Sequence, residues 1–329
     1  KVPREAIFYY LTWWWFGTCC FYVYGRLIMN RFPELFNSEH PILSLIAHHH
    51  QFVAFGMYIA GFVTFVCTLR AGSYKYQFMQ WAYAHIIMFV AVIQTAPMLY
   101  QIFEGVIWFL LPAMLIACND TWAYIWGFFF GKKFIKAPLI ALSPNKTWEG
   151  FVGAFVSTLV FGFFFSYFLA QFPAMYCPKI SVDVYPSQCD IPFAMAPYAY
   201  EIPATLRTLF LMFGYTSPTI TLLPIQLHSL VLSTFASLVA PFGGFFGSGL
   251  KRALKIKDFG DSLPGHGGVT DRLDCQALMA MFAFVYYRSF IKTVPITIAG
   301  LMMKIKSMPP TEQKALYNAF QTYIANVSH

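Results

Sequence analysis

Forty consecutive residues, Thr208 to Gly247, contain no Asp, Glu, Lys or Arg, and the next 27, Ser248 to Asp274, hold five of the 22 Lys/Arg and four of the 14 Asp/Glu in the chain. A soluble core segment of the first kind would be unusual. A membrane segment that delivers a polar loop to the interface needs such a run. This juxtaposition points to a polytopic membrane enzyme with its chemistry concentrated in the loop SGLKRALKIKDFGDSLPGHGGVTDRLD.

The composition agrees. Charged residues make up 11% of the 329, against about 25% in an ordinary soluble domain. Aromatic residues are 20%, with 37 Phe, and the mean hydropathy is +0.56. The net charge of +8 suits anionic lipids and nucleotide phosphates. Nucleic-acid binding would need a basic patch on a soluble face, and the pattern offers none. Cys19-Cys20, Cys67 and Cys118 lie in apolar runs as small hydrophobes. Cys177 and Cys189 share the one long polar loop and can pair there, and none of the cysteine spacings matches a zinc site.

The pattern predicts an all-α, polytopic helical membrane bundle of about seven spans, or eight or nine with a re-entrant helix. The first covers residues 6 to 29, with Arg26 and Arg31 placed to snorkel. The second runs from Leu43 to Leu69, the third from Phe78 to Tyr100 and the fourth from Val106 towards Phe130, with Pro112 inside it. His48-His49-His50 open the second span; on a helix they point three ways, so they are read as interfacial and structural. A fifth span begins near Glu149 and ends about Ala170, a return span lies within Thr205 to Gly247, and Cys275 to Phe290 closes the series. Ile296 to Met303 is a weaker interfacial candidate. By the positive-inside rule the loop Gly131 to Trp148, with Lys132, Lys133, Lys136 and Lys146, faces the cytoplasm, and the Lys/Arg-poor loop 171–204 faces the lumen. The organisation is an N-terminal helical region 1–130, a catalytic region 131–305 and a soluble tail 306–329.

Two ordered motifs carry a family resemblance. One comprises Ser248, Lys251-Arg252, Lys257-Asp258, His266-Gly267-Gly268, Asp271-Arg272 and Asp274. The other comprises Asn119-Asp120, Ala123-Tyr124, Gly127, Gly131-Lys132 and Ser143 to Gly150 (SPNKTWEG). Together they resemble the CTP:phosphatidate cytidylyltransferases, or CDP-diacylglycerol synthases, over about residues 70 to 290. Gln226-Leu227-His228 and Ala240 to Phe246 are similar to the eukaryotic branch; bacterial members carry an Asp near Gly244. The resemblance implies transfer of a cytidylyl group from CTP to phosphatidate, Mg²⁺ as cofactor with room for a second cation, and an endoplasmic reticulum membrane location with a cytoplasmic-facing site. It also implies a further N-terminal portion with one or two more spans, because the chain starts at Lys1. A homodimer is compatible with it.

The residues themselves suit that chemistry. Joining two anionic partners calls for cations and carboxylates that hold a metal. Asp271 and Asp274, three apart, share a helix face and can hold Mg²⁺ at about 2.0 to 2.1 Å. Lys251 and Arg252 are assigned to catalysis, with Lys255 attracting the anionic lipid surface. Lys257 and Asp258 belong to the site by the resemblance. Gly267 and Gly268 let the main chain approach an anion around His266, and His266 is read as a hydrogen-bonding partner of CTP or pyrophosphate. Ser248 and Arg272 are assigned to substrate. From the upstream block, Asn145 and Lys146 can meet phosphate, while Asp120 or Glu149 orders a base, a lysine or a second cation; the residues leave these roles open. A carboxylate at membrane depth costs about 2.5 to 3.5 kcal/mol, so Asp120 should face a polar cavity. Two other readings are a CTP-dependent lipid kinase and a transporter; the second would spread its charges through opposing spans.

Overall fold

The computed structural model describes residues 4–31, 41–140, 142–178, 189–203, 205, 207, 211–212, 216–257, 270–292, 302, 305–306 and 308–327. The chain divides into two compact units, Lys1–Tyr287 and Arg288–His329. The first unit begins with α1 (Arg4–Cys20), which passes through a π-helical turn, Phe21–Gly25, into α2 (Arg26–Arg31). After α3 (Pro41–His48) a break at His49 starts α4 (His50–Thr68), and α5 (Tyr74–Met88) follows. The apolar stretch expected as one third span is divided: α5 gives way to a π-helical turn at Phe89–Ile93, and α6 (Ala96–Glu104) starts afresh with Pro97 at its head. His50 is buried, its Nε2 3.4 Å from the Tyr22 carbonyl oxygen, whereas His48 and His49 are partly or fully exposed.

Leu11, Trp15, Phe65 and Met88 form the core that joins α1, α4 and α5. Gly61 is what allows the close approach, since a Cβ there would come within 2.6 Å of Trp15 Nε1. Trp14 Nε1 donates to the Met57 carbonyl oxygen at 2.8 Å across the same seam.

The rest of the unit is built on α7 (Ile107–Phe130), α8 (Trp148–Ala170), α9 (Pro224–Leu238), α10 (Pro241–Leu254) and α11 (Thr270–Tyr286). The first two coincide closely with the expected fourth and fifth spans. Along α8 the buried positions Gly150, Ala154, Thr158, Gly162, Ser166 and Ala170 recur every four residues, one continuous stripe on a helix. Such a stripe lets backbones draw together without large side chains between them, the usual solution for helices packed in lipid. A Cβ on Gly162 would meet Ser233 Oγ of α9 and, at 3.0 Å, Leu115 of α7. Gln101 Nε2 donates to the Ala280 carbonyl oxygen at 3.1 Å, and Gln276 Nε2 to that of Ala113 at 3.2 Å, tying α11 to α6 and α7. Phe235 and Phe282 stack at 3.8 Å between α9 and α11.

Among the described residues three helical stretches are long and apolar enough to cross a bilayer: His50–Thr68, Trp148–Ala170 and Pro224–Ala253, the last running through α9 and α10. The protein is an integral membrane protein; among the described residues its strands are one antiparallel pair, β1 (Tyr198–Glu201) with β2 (Thr219–Leu222), in register Tyr198 to Leu222. The return span expected within Thr205 to Gly247 is present as the stretch that starts at Pro224, and it is preceded by strand at Thr219–Leu222. Cys177 and Cys189 are joined by a disulfide, Cα to Cα 5.7 Å. In the second unit, α12 (Pro310–Val327) forms where a tail was expected. Apart from Met302, the candidate interfacial segment Ile296 to Met303 lies outside the described residues.

The glycine seams give a stability prediction. A Cβ at Gly153 would run into the Trp126 ring, whereas one at Gly56, also mid-helix, would have nothing within 4 Å. Gly153→Ala should therefore cost about 1 to 3 kcal/mol, lowering the melting temperature in detergent. Gly56→Ala should leave it unchanged or raise it through helix propensity. Equal melting of the two variants would contradict the packing described.

Candidate active site

A cavity of about 670 Å³ opens where α7, the loop to α8, α8, α10 and α11 converge. Its polar lining comes from distant parts of the chain: Asn119 and Asp120 from α7, Asn145 and Lys146 from the loop, Ser248 and Lys251 from α10, and Asp274 from α11. Tyr124, Phe128, Phe151 and Phe245 supply an aromatic wall. Such a lining offers charge for an anion beside apolar surface.

The loop that carries Asn145 and Lys146 is held at both ends. Leu139 N donates to the Lys146 carbonyl oxygen at 3.0 Å, and Lys146 N to that of Ser143 at 3.1 Å, closing a tight turn that presents Asn145. Thr147 then caps α8, its hydroxyl accepting from Gly150 N at 3.2 Å. Glu149 binds backbone. Its Oε1 accepts from Phe134 N at 2.9 Å and Ile135 N at 2.7 Å, and its Oε2 from Lys132 N at 3.2 Å. This carboxylate is the clasp of the 131–136 loop and is absent from the cavity lining.

Asp274 lies in a cradle made by α10. Its Oδ1 accepts from Cys275 N at 2.7 Å. A Cβ on Gly243 would come 2.7 Å from the Asp274 carbonyl oxygen, and one on Gly247 3.0 Å from Oδ2. Gly243 and Gly247, one helical turn apart, thus vacate the space that the Asp274 main chain and carboxylate occupy. Asp120 faces the same region from α7, in electrostatic contact with both Lys146 and Asp274. Beneath it Asn119 is 4% exposed and its Oδ1 has no hydrogen-bond partner among the protein atoms.

Of the residues singled out in the sequence, Asp120, Asn145, Lys146, Ser248, Lys251 and Asp274 are brought together. Arg252 and Lys257 are exposed and lie outside the cavity lining. Asp271 and Arg272 belong to the first turn of α11, but their side chains, with Asp258, His266, Gly267 and Gly268 entirely, lie outside the described residues. Sequence reasoning gave no role to Asn119, Tyr124, Pro241, Phe245 or Cys275, all of which line the cavity. The i,i+4 spacing of Gly243 and Gly247 was the available signal that α10 presses its backbone against a partner.

The sequence profile of the cytidylyltransferase family matches residues 1–290. Phosphatidate cytidylyltransferase 1 of Arabidopsis thaliana is 42% identical over 324 residues, covering 96% of this chain and 75% of that protein. Phosphatidate cytidylyltransferase 3 of Arabidopsis thaliana is 44% identical over 314 residues, 94% of this chain and 65% of that protein. Phosphatidate cytidylyltransferase 1 of Homo sapiens is 39% identical over 317 residues, 95% and 66% respectively.

The clasp carries its own prediction. Glu149→Gln replaces one acceptor oxygen with a donor, so it cannot receive all three N–H groups. Trypsin should cut the variant faster at Lys132, Lys133 or Lys136 than the parent protein, with unaltered cutting at Lys314 in the second unit as an internal standard. Identical cleavage rates in the loop would show that the clasp does not hold it.

Proposed function

The chain belongs to the cytidylyltransferase family, and from that premise we propose that it transfers the cytidylyl group of CTP to phosphatidate, releasing CDP-diacylglycerol and pyrophosphate. The observation that carries this reading is the meeting of Asp120, Lys146, Lys251 and Asp274 in one cavity with an aromatic wall, within a membrane-spanning bundle. A phosphatidate oxygen attacks the α-phosphorus of CTP; the new P–O bond forms as the bond to the bridging α,β-oxygen breaks, and pyrophosphate leaves. Lys146 and Lys251 offset charge on the triphosphate where it grows, and Asn145 offers an amide donor beside them. Phosphatidate brings an oxygen already ionised near neutral pH, so no strong base is required of His266, which is assigned to hydrogen bonding. Tyr124 and Phe128 provide apolar surface for the lipid part of the substrate.

Among the described residues no group of three or more His, Cys, Asp or Glu comes together, so a divalent cation is proposed here on two carboxylates and the phosphates of bound CTP. Two carboxylates, Asp120 and Asp274, act on each other across one cavity, and the α10 glycines keep the space around Asp274 clear. Asp271, one turn earlier on α11, is the further ligand proposed. Mg²⁺ held there would neutralise the triphosphate and the departing pyrophosphate. The site is proposed to face the cytoplasm, in the endoplasmic reticulum membrane, on the strength of Lys132, Lys133, Lys136 and Lys146 in the loop beside it.

Purified protein given CTP, phosphatidate and Mg²⁺ should yield CDP-diacylglycerol and pyrophosphate in equal amounts; CDP and a phosphorylated lipid would identify a kinase instead. Sealed microsomes with the cytoplasmic face outward should show this activity without detergent, and activity latent until permeabilisation would reverse the orientation.

Asp274→Asn should lower turnover on the order of 100-fold, about 2.7 kcal/mol of transition-state stabilisation, and raise the Mg²⁺ concentration needed. The melting temperature should stay near that of the parent, because an amide oxygen can still accept from Cys275 N. Near-normal turnover at low Mg²⁺ would overturn the ligand assignment.

A further inference from the structure

The end of the bundle opposite the cavity carries a cap with two unlike faces. Between Ala170, the end of α8, and Pro224, the start of α9, the chain includes a helical turn at Pro173–Tyr176, the Cys177–Cys189 disulfide, a 3₁₀ turn at Phe193–Met195 and the β1–β2 pair. One face is docked. Tyr176, Cys177, Ala194 and Met195 are buried, and a Cβ on Gly105 would lie 2.8 Å from the Tyr176 carbonyl oxygen. Gly105, at φ +146°, also holds a backbone conformation that favours glycine. The other face is apolar and bare: Ile191 and Phe193 are each 63% exposed and Tyr198 is 47% exposed. The rings of Phe193 and Tyr198 and the half-buried Tyr200 form a row, Phe193 to Tyr198 at 5.8 Å and Tyr198 to Tyr200 at 4.8 Å.

An element that only sealed the bundle would need the docked face and not the aromatic one, because apolar area left in water carries a free-energy cost. What covers it follows from continuity. Phe164, Phe168 and Phe172 are exposed at i,i+4 spacing along α8 and beyond its end, with Phe168 and Phe172 in ring contact at 5.2 Å. This stripe leads from the lipid-facing side of the span to the cap. The 23 residues of α8 reach about 35 Å at about 1.5 Å per residue, slightly more than a hydrocarbon core of about 30 Å. With the cavity at one end of α8, its other end and the cap fall in the interfacial layer, where tyrosine and tryptophan concentrate with rings among acyl chains and polar tips in the headgroups.

We propose that this disulfide-tied cap is a membrane-interface anchor, with Ile191, Phe193 and Tyr198 seated in the lipid headgroup boundary of the leaflet opposite the cavity. The lipid holds the far end of α8 at a fixed depth, and the rigid helix transmits that depth to the cavity. This inference depends on the membrane spans alone and not on the reaction.

The test places one spin label at a time at position 193, 198 or 201 (Phe193→Cys, Tyr198→Cys, Glu201→Cys) in the full chain. The background lacks the free cysteines Cys19, Cys20, Cys67, Cys118 and Cys275, and the protein is reconstituted into phosphatidylcholine vesicles. Strand alternation puts Glu201 on the other face of β1 from Tyr198. Labels at 193 and 198 should collide more with membrane-dissolved oxygen than with a water-soluble nickel chelate, and the label at 201 should show the reverse. Two labelled positions on the apolar face guard against one variant misfolding. All three labels in water would overturn the anchor, and so would labels at 193 and 198 shielded from both reagents, the signature of a second copy or another protein covering the face.

Discussion

Close helix approach through small residues is the condition on which the rest of the structure depends. Charge inside a membrane-spanning bundle is tolerated only where protein, not lipid, surrounds it. The four-residue repeat of Gly150, Ala154, Thr158, Gly162, Ser166 and Ala170 brings α7 and α9 against α8, and a larger side chain at Gly162 would collide with both neighbours. Asn119 is buried by that contact, and Asp120 beside it opens into the cavity rather than onto the outer surface of the bundle. A wider spacing would open them to acyl chains, where an ionised carboxylate is costly.

The same logic operates at α10. Its first half, PFGGFFG, carries part of the family resemblance in sequence without showing what it packs against; in the fold Gly243, Gly244 and Gly247 form the surface against which the head of α11 lies. Asp274 is thereby held by backbone, with a fixed position relative to Lys251 in the last turn of α10. Positive and negative groups of the cavity are set by the same pair of helices, so small shifts of α10 against α11 would alter both. Glu149 extends the pattern to the loop: an acidic residue beside the cavity serves to fix backbone, leaving Asp120 and Asp274 as the described carboxylates that line it.

How legible this was in the sequence depends on the range of the interaction. The helices α7 and α8 were legible to within about a residue because each is a long apolar run bounded by a charged or glycine-containing loop. The β1–β2 pair was not legible: its strands are four residues each, β1 at the end of the stretch 171–204 read as a loop and β2 in the apolar run read as leading into a span. The break of the third expected span was hidden for a related reason, since hydropathy is blind to a π-helical turn inside an unbroken apolar stretch. For the site, the two motifs named Asp120 and Asp274, but their meeting across 154 residues of sequence is a tertiary fact. The task of Glu149 was equally out of reach, because a carboxylate that binds backbone and one that binds a ligand look alike in one dimension.

The two ends of α8 are therefore coupled by geometry. At one end Thr147 caps the helix and the neighbouring turn presents Asn145 and Lys146; at the other, the buried face of the cap closes over the bundle and the Cys177–Cys189 bridge ties its chain. A rigid element fixed at both ends has little freedom to slide along the bilayer normal. For the proposed site, which would meet a lipid headgroup from inside the membrane and a soluble nucleotide from outside it, that restriction would have a direct use: the depth of Lys146, Lys251 and Asp274 would determine whether both phosphates reach the cavity at once. The polar floor, the aromatic wall and the distant cap are thus parts of one arrangement, in which helix length and glycine spacing set where in the membrane the chemistry can occur.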